Sequence, residues 1–116
     1  MKDQPIIYHN TTCSKCMLAT HILEEKGFEP ISINYLENPL NREQILKLLA
    51  LLKLTPENIV RKEDPAFVQN YNGENMKQED YLSILEKFPE LMQRPIVVYK
   101  GRAIIARPPQ KINELL

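Results

Sequence analysis

The first scarcity in this 116-residue sequence is cysteine, because Cys13 and Cys16 are the only two. Histidine is equally rare, with His9 and His21 alone, and tryptophan is absent. Zinc sites usually need four ligands. The two histidines do not have the spacing of zinc ligands, and the sequence has no second cysteine pair. We therefore predict no metal site. Structural disulfides are not expected either, since the sequence has no further cysteines and no signal-peptide pattern.

The sequence also lacks an excess of charge of either sign, with 15 basic and 15 acidic residues. Without a global basic field, we expect no direct contact with nucleic acid. No apolar run approaches the length of a membrane span, so no membrane association is expected. Hydrophobic residues make up 43% of the chain, which is enough for one core. These features predict a single domain over residues 1–116 in a monomeric, cytoplasmic protein.

Glycine is scarce too, with three residues, so few glycines interrupt the periodic spacing of apolar residues. Apolar residues at strand spacing predict β-strands at about 6–9, 30–34, 96–99 and 103–106. Apolar residues at helical spacing predict helices at about 14–26, 41–52 and 78–88. Gly27 suits a helix end, and Asn41 with Gln44 suits a capping box. Short helices are expected after Thr55-Pro56 and over 110–116.

The predicted order of elements is βαβ, then a block of helices, then ββα. A βαβ unit places its two strands in parallel through a right-handed crossover, and the closing hairpin adds antiparallel strands to the same sheet. The result is an α/β fold with a mixed four-stranded sheet, which is the thioredoxin-like architecture. The helical block at about 41–90 is then an insertion between the βαβ and ββα halves.

Cys13 is the predicted centre of the chemistry. It lies between the first strand and the first helix, where unpaired N–H groups and the positive end of the helix dipole favour a thiolate over a thiol. The thiolate is the nucleophilic form of cysteine. The residues alone leave one alternative open, in which Cys13 and Cys16 are two inert buried cysteines.

Three arginines, Arg61, Arg94 and Arg107, each lie at the end of a predicted element rather than in the middle of a solvated helix face. A guanidinium stays charged and presents a planar fork of donors. Three such forks near a thiolate would bind a tetrahedral oxyanion and lower the pKa of the thiol. The residue pattern alone does not separate this hypothesis from three ordinary surface arginines.

Stretches from end to end of the sequence match one family pattern in order and spacing: Ile7-Tyr8-His9-Asn10 before Cys13-Ser14-Lys15, Tyr35-Leu36-Glu37-Asn38-Pro39, Val60-Arg61-Lys62, Arg94-Pro95-Ile96-Val97-Val98 and Ala106-Arg107-Pro108-Pro109. Through them the chain resembles the ArsC family of glutaredoxin-coupled arsenate reductases, together with short ArsC-like and Spx-related proteins. The Arg-Pro-Ile-Val-Val and Arg-Pro-Pro segments are the more specific part, because the cysteine motif alone would not single out this family.

The resemblance implies an oxidoreductase that reduces arsenate to arsenite. In such an enzyme Cys13 is the catalytic nucleophile, and Arg61, Arg94 and Arg107 hold the arsenate oxygens and stabilise their negative charge. The resemblance also implies glutathione as co-substrate, glutaredoxin or thioredoxin as the protein reductant, and no tightly bound cofactor.

Supporting roles around the cysteine are also implied by the resemblance. His9 and Asn10 would line the cysteine loop, with His9 either polarising the thiolate or simply packing at the strand end. Ser14 would donate a hydrogen bond to the thiolate or cap the helix. The family has a cis proline at the position of Pro95, facing the cysteine.

Cys16 is the point at which the sequence departs from the arsenate enzymes, which commonly have serine there. A Cys-x-x-Cys pair at this place is similar to that of the Spx regulators, which share the fold and use the pair as a redox switch on RNA polymerase. The alternative to an enzyme is therefore a thiol switch that binds a protein partner. Residues three apart in a first helical turn share one face, so Cys16 could resolve a Cys13 adduct through a disulfide. The other interpretation of Cys16 is a small residue in the core.

Overall fold

A computed structural model of the chain describes residues 4–9, 14–71 and 75–116, with residues 14 and 15 described by their backbone alone. The chain divides into two compact units. The sheet unit comprises Met1–Asn38 and Arg94–Leu116, and the helical unit comprises Pro39–Gln93. The helical unit corresponds to the predicted insertion at about 41–90. That both units form one domain stays a prediction.

In its described residues, the sheet unit contains four strands and one long helix: β1 (Ile6–His9), α1 (Ser14–Glu25), β2 (Ile31–Asn34), β3 (Ile96–Tyr99) and β4 (Arg102–Ile105). The strand order is β2-β1-β3-β4. Strand β1 runs parallel to β2 and antiparallel to β3, and β3 and β4 form an antiparallel hairpin. The predicted α/β fold with a mixed four-stranded sheet is confirmed.

Gly27 lies just past the end of α1, where the sequence predicts the C-terminal stop of this helix. This glycine has a φ of 87°, in the left-handed region that residues with a Cβ rarely adopt. Its N–H donates to the carbonyl of Glu24 at 3.0 Å, and the N–H of Phe28 donates to that of Leu23 at 3.1 Å. This pair of bonds is the Schellman motif, and it turns the chain from α1 into β2.

The core of the sheet unit lies between the sheet and two helical segments, α1 and the C-terminal 3-10 helix Pro109–Glu114. Its buried members come from all of these elements: Ile7, Ala19, Leu23, Val97, Ala106, Ile112 and Leu115. Phe28 and Tyr99 close one end of this core with an edge-to-face ring contact, 5.2 Å between centroids. This packing holds α1 on the sheet and so fixes where its first turn begins.

Outside residues 72–74, the helical unit contains three α-helices and two 3-10 helices: α2 (Arg42–Leu52), α3 (Pro65–Asn70) and α4 (Gln78–Lys87), with Pro56–Ile59 and Pro89–Leu91. Helix α2 starts with the predicted capping box, in which Asn41 accepts from the Gln44 N–H at 2.8 Å and Gln44 accepts from the Asn41 N–H at 2.9 Å. None of the helices among the described residues is long and apolar enough to span a membrane.

Helix α3 was not predicted, although the sequence carries its signal. Asp64 accepts a hydrogen bond from the Ala66 N–H at 2.9 Å, and Pro65 occupies the first helical position. This is the same cap-then-proline rule that predicted the short helix after Thr55. With six residues, the helix is too short for an apolar periodicity to reveal it.

Candidate functional site

Strand register brings Arg94 and Arg107 to the same edge of the sheet. Residues of β3 and β4 pair with Ile96 opposite Ile105. The ladder continues one step further, because the Ala106 N–H donates to the Pro95 carbonyl at 2.9 Å. Arg94 comes one residue before Pro95 in the chain, and Arg107 comes one residue after Ala106. Both arginines therefore directly adjoin the last hydrogen-bonded pair of β3 and β4, at the same end of the sheet.

The carboxyl end of β1 reaches this edge as well. Tyr8 pairs with Ile96, so the β1 strand ends beside the start of β3. The last residue of β1 is His9, whose carbonyl accepts a hydrogen bond from the Tyr35 N–H at 3.3 Å. The chain then continues through Asn10 to Cys13. Asn10, Cys13 and the side chain of Ser14 lie outside the described residues, so their predicted roles stay predictions.

The two arginines of the β4 hairpin are used differently. Arg102 donates to the carbonyl of Leu115 at 2.5 Å, which ties β4 to the C-terminal segment. The guanidinium of Arg107 is half-buried and makes no hydrogen bond or ion pair with the part of the chain that is described. An arginine has five N–H donors and stays charged, so Arg107 keeps its donors available for an anion.

Both arginines of this edge are followed by cis prolines. The peptide bond between Arg94 and Pro95 is cis, as the resemblance implied. The bond between Arg107 and Pro108 is cis too, which sequence reasoning missed. Because X–Pro bonds in folded proteins are mostly trans, residue types alone gave no signal for the second one.

Arg61 is the third residue of the predicted clamp, by which we mean the three arginines expected to hold the oxyanion. It belongs to the helical unit. Its Nη1 atom donates to the Oδ2 atom of Asp64 at 3.1 Å. Its backbone N–H donates to the carbonyl of Leu91 at 2.7 Å, beside an isolated antiparallel bridge between Val60 and Met92. Leu91 comes three residues before Arg94 in the sequence. The structure thus shows how Arg61 is held, and its part in a clamp stays a prediction.

Helix α1 begins at Ser14, directly after Cys13, as predicted. The free N–H groups of a first helical turn therefore follow the cysteine immediately in the chain. Cys16 is the third residue of the helix and only 2% exposed. Such burial suits a packed core residue and equally the inner thiol of a Cys-x-x-Cys pair, so a resolving role for Cys16 remains a prediction.

Other charged or metal-binding groups add little to this edge. Burial raises the pKa of the Tyr8 hydroxyl, so this side chain stays neutral at physiological pH. Across residues 4–9, 14–71 and 75–116, no cluster of three or more His, Cys, Asp or Glu side chains could hold a metal ion. The described residues therefore offer two arginines, Arg94 and Arg107, at the end of the sheet where the chain leaves β1 towards Cys13.

Comparison with known proteins defines the family. The model of the ArsC family matches residues 8–115, and the chain belongs to this family. It is 36% identical to the uncharacterized protein YfgD of Escherichia coli K12, over 100% of this chain and 99% of that protein. It is 31% identical to an arsenate reductase of Escherichia coli, over 95% of this chain and 79% of that protein.

Solved structures agree with the fold. The arsenate reductase from Vibrio cholerae matches over 100% of both chains, with a TM-score of 0.93 and 30% identity. The chain is therefore an arsenate reductase-like protein of the ArsC family with the thioredoxin-like fold.

Proposed function

We propose that the protein is a thiol-dependent arsenate reductase, with Cys13 as its nucleophile. The observation that supports this proposal most is the position of Arg94 and Arg107, which both adjoin the last hydrogen-bonded pair of β3 and β4 at the end of the sheet where β1 leads into the Cys13 motif. A cationic edge beside a thiolate suits a tetrahedral oxyanion, and relatives of this chain are named arsenate reductases. Membership of the ArsC family does not by itself establish arsenate reduction, because the relative YfgD is uncharacterized.

In the proposed reaction, the Cys13 thiolate attacks the arsenic of arsenate and an arsenate oxygen leaves as water, which forms a thiol–arsenate ester. Glutathione then supplies the second thiol. Its sulfur bonds to that of Cys13 as the S–As bond breaks, so arsenic gains two electrons and leaves as arsenite. The two sulfurs are oxidised to a mixed disulfide. A glutaredoxin or thioredoxin reduces this disulfide and returns the Cys13 thiolate.

Arg94 and Arg107 have two tasks in this proposal. Their positive charges favour the Cys13 thiolate, and their N–H donors bind arsenate oxygens, on which negative charge grows as the Cys13 thiolate attacks. Arg61 would join them as a third donor, as the resemblance implies. Such chemistry suits the reducing cytoplasm, where thiols are not held as structural disulfides.

The test is arsenate-dependent oxidation of NADPH in the presence of glutathione, glutaredoxin and glutathione reductase. We expect turnover with the wild-type protein and none with Cys13→Ser, since serine is not a nucleophile at neutral pH without a base. Arsenite is measured directly in the same samples. If wild-type protein produces no arsenite under these conditions or with thioredoxin, the proposal is wrong, and a Spx-like thiol switch on a protein partner becomes the better account.

A further inference from the structure

The carboxylate of Asp64 makes two contacts at once. Its Oδ1 atom accepts from the Ala66 N–H at 2.9 Å and so caps helix α3. Its Oδ2 atom accepts from Nη1 of Arg61 at 3.1 Å. In addition, the Asp64 N–H donates to the Arg61 carbonyl at 3.2 Å. The carboxylate is therefore fixed by the helix cap, and it in turn fixes the Arg61 guanidinium.

This ion pair differs from the others between described residues in its burial. The side chains of Arg61 and Asp64 are 18% and 22% exposed, whereas those of Lys47 and Glu43 are 76% and 79% exposed. Exposed pairs gain little from their attraction because solvent screens it and both side chains lose rotamer freedom. A more enclosed pair with a fixed acceptor holds its arginine in one geometry.

Asp64 uses only part of the donor capacity of Arg61. The contact is with Nη1, and Nε is buried and has no hydrogen-bond partner among the described residues. Native proteins rarely leave a buried donor without an acceptor, so the buried Nε–H of Arg61 is suited to an acceptor that binds from outside. Arg61 thus combines a fixed position with unused donors, which is the condition for binding an anion at low entropic cost.

We propose that Asp64 is a positioning residue, which holds the Arg61 guanidinium in place for oxyanion binding and thereby sets the affinity for arsenate. This inference rests on the proposed function, in which Arg61 contacts arsenate. Asp64 itself does not touch the substrate. It acts by removing the rotamer freedom that Arg61 would otherwise lose when arsenate binds.

The informative variant is Asp64→Asn. Asparagine caps helices as well as aspartate does, so α3 should keep its cap. Once its single carbonyl oxygen accepts from Ala66, only its NH₂ group is left to face Arg61, and two donors cannot bond. We expect KM for arsenate, and the dissociation constant from calorimetric titration with inorganic arsenate, to rise about tenfold, as when a metal ligand loses its orienting partner. The melting temperature should stay near wild type.

Asp80→Asn is the matched control. Asp80 also accepts a backbone N–H in the first turn of a helix, that of Lys77 at 2.7 Å, and forms no ion pair with an arginine of the described ranges. Its substitution should leave both arsenate constants unchanged. Asp64→Glu should affect stability more than arsenate binding, since it keeps the charge for Arg61 and is a poorer helix cap. It should lower the melting temperature more than Asp64→Asn and raise KM less.

A double-mutant cycle with Arg61→Ala separates this inference from the proposed function. We expect Asp64→Asn to have no further effect on arsenate affinity once Arg61 is alanine. If Arg61→Ala weakens arsenate binding and Asp64→Asn does not, or if Asp64→Asn tightens it, the positioning role is wrong and the proposed function stands. If Arg61→Ala has no effect, Arg61 is outside the clamp and the inference fails with it. Absence of arsenate binding by the wild type would overturn both.

Discussion

The two units of the molecule place their arginines by different means. In the sheet unit, Arg94 and Arg107 each lie one residue beyond the main-chain hydrogen bond that extends the β3–β4 ladder. In the helical unit, Arg61 lies beyond any regular strand and depends on a single bridge and on the side chain of Asp64. Main-chain hydrogen bonds survive most side-chain substitutions, whereas a side-chain partner is lost with one mutation. The comparison therefore predicts robust positioning in one unit and fragile positioning in the other.

The largest effect should come from the sheet unit. Replacing Arg94 or Arg107 with alanine should lower kcat/KM for arsenate by about tenfold or more each, because each loses a charge-assisted hydrogen bond to the oxyanion. Lysine should restore only part of the activity, since a point charge cannot make the bidentate contact. Steady-state kinetics in the coupled assay measures both.

Arg102→Ala is the control for these variants. Arg102 lies in the same hairpin, but its guanidinium is engaged with the Leu115 carbonyl. It should lose some thermal stability and keep its kcat/KM. Equal losses of kcat/KM in the Arg102 and Arg107 variants would mean that activity depends on the total positive charge of this region. The position of Arg107 would then have no particular role.

A smaller effect is expected from Cys16, the second cysteine of the sheet unit. Its side chain is buried, and in the proposed reaction glutathione resolves the Cys13 adduct from solution. Cys16→Ser should therefore keep its rate with glutathione and glutaredoxin, and should lose about 1 kcal/mol of stability because a hydroxyl is buried in place of a thiol. Loss of thioredoxin-supported turnover, or a Cys13–Cys16 disulfide found by mass spectrometry in oxidised wild type, would instead assign Cys16 a resolving role.

The contrast between the units also explains what the sequence could predict. The strands, α1 with its end at Gly27, and the Asn41 capping box follow from local periodicity and cap chemistry, which act within a few residues. Register across strands, and with it the placement of Arg94 and Arg107 at one end of the β3–β4 pair, needs long-range pairing. The contact between Arg61 and Asp64 required helix α3, which is too short to show a periodicity.

Predicted roles at the site depended on the resemblance more than on the residues. Residue types alone left Arg107 indistinguishable from a surface arginine such as Arg102. Their different surroundings, one guanidinium bonded to a carbonyl and the other without a partner among the described residues, appear only in the folded chain. The second cis proline, Pro108, is likewise a property of the tertiary structure.

The smallest predicted effects are changes in stability at the C-terminal ends of two helices. Helices α1 and α2 both end in a left-handed residue with Schellman hydrogen bonds, but α1 has Gly27 there and α2 has Lys53, with a φ of 59°. Gly27→Ala should destabilise the protein by about 1 kcal/mol through backbone strain alone, since a Cβ at this position meets no atom within 4 Å. Lys53→Gly should stabilise it by about 0.5 kcal/mol, because relief of strain exceeds the added entropy of the unfolded chain. Thermal and urea unfolding measure both, and shifts of the same sign would contradict this account.

The measurement that tests the central claim most directly is the alkylation rate of each cysteine by iodoacetamide near neutral pH, followed by peptide mapping, with and without arsenate. A Cys13 thiolate stabilised by a helix start and by arginines should react faster than Cys16. Arsenate should slow that reaction in the wild type and have little effect in Arg94→Ala and Arg107→Ala. Faster labelling of Cys16, or arsenate protection that is equal in the wild type and both arginine variants, would contradict an arginine-lined oxyanion site at Cys13.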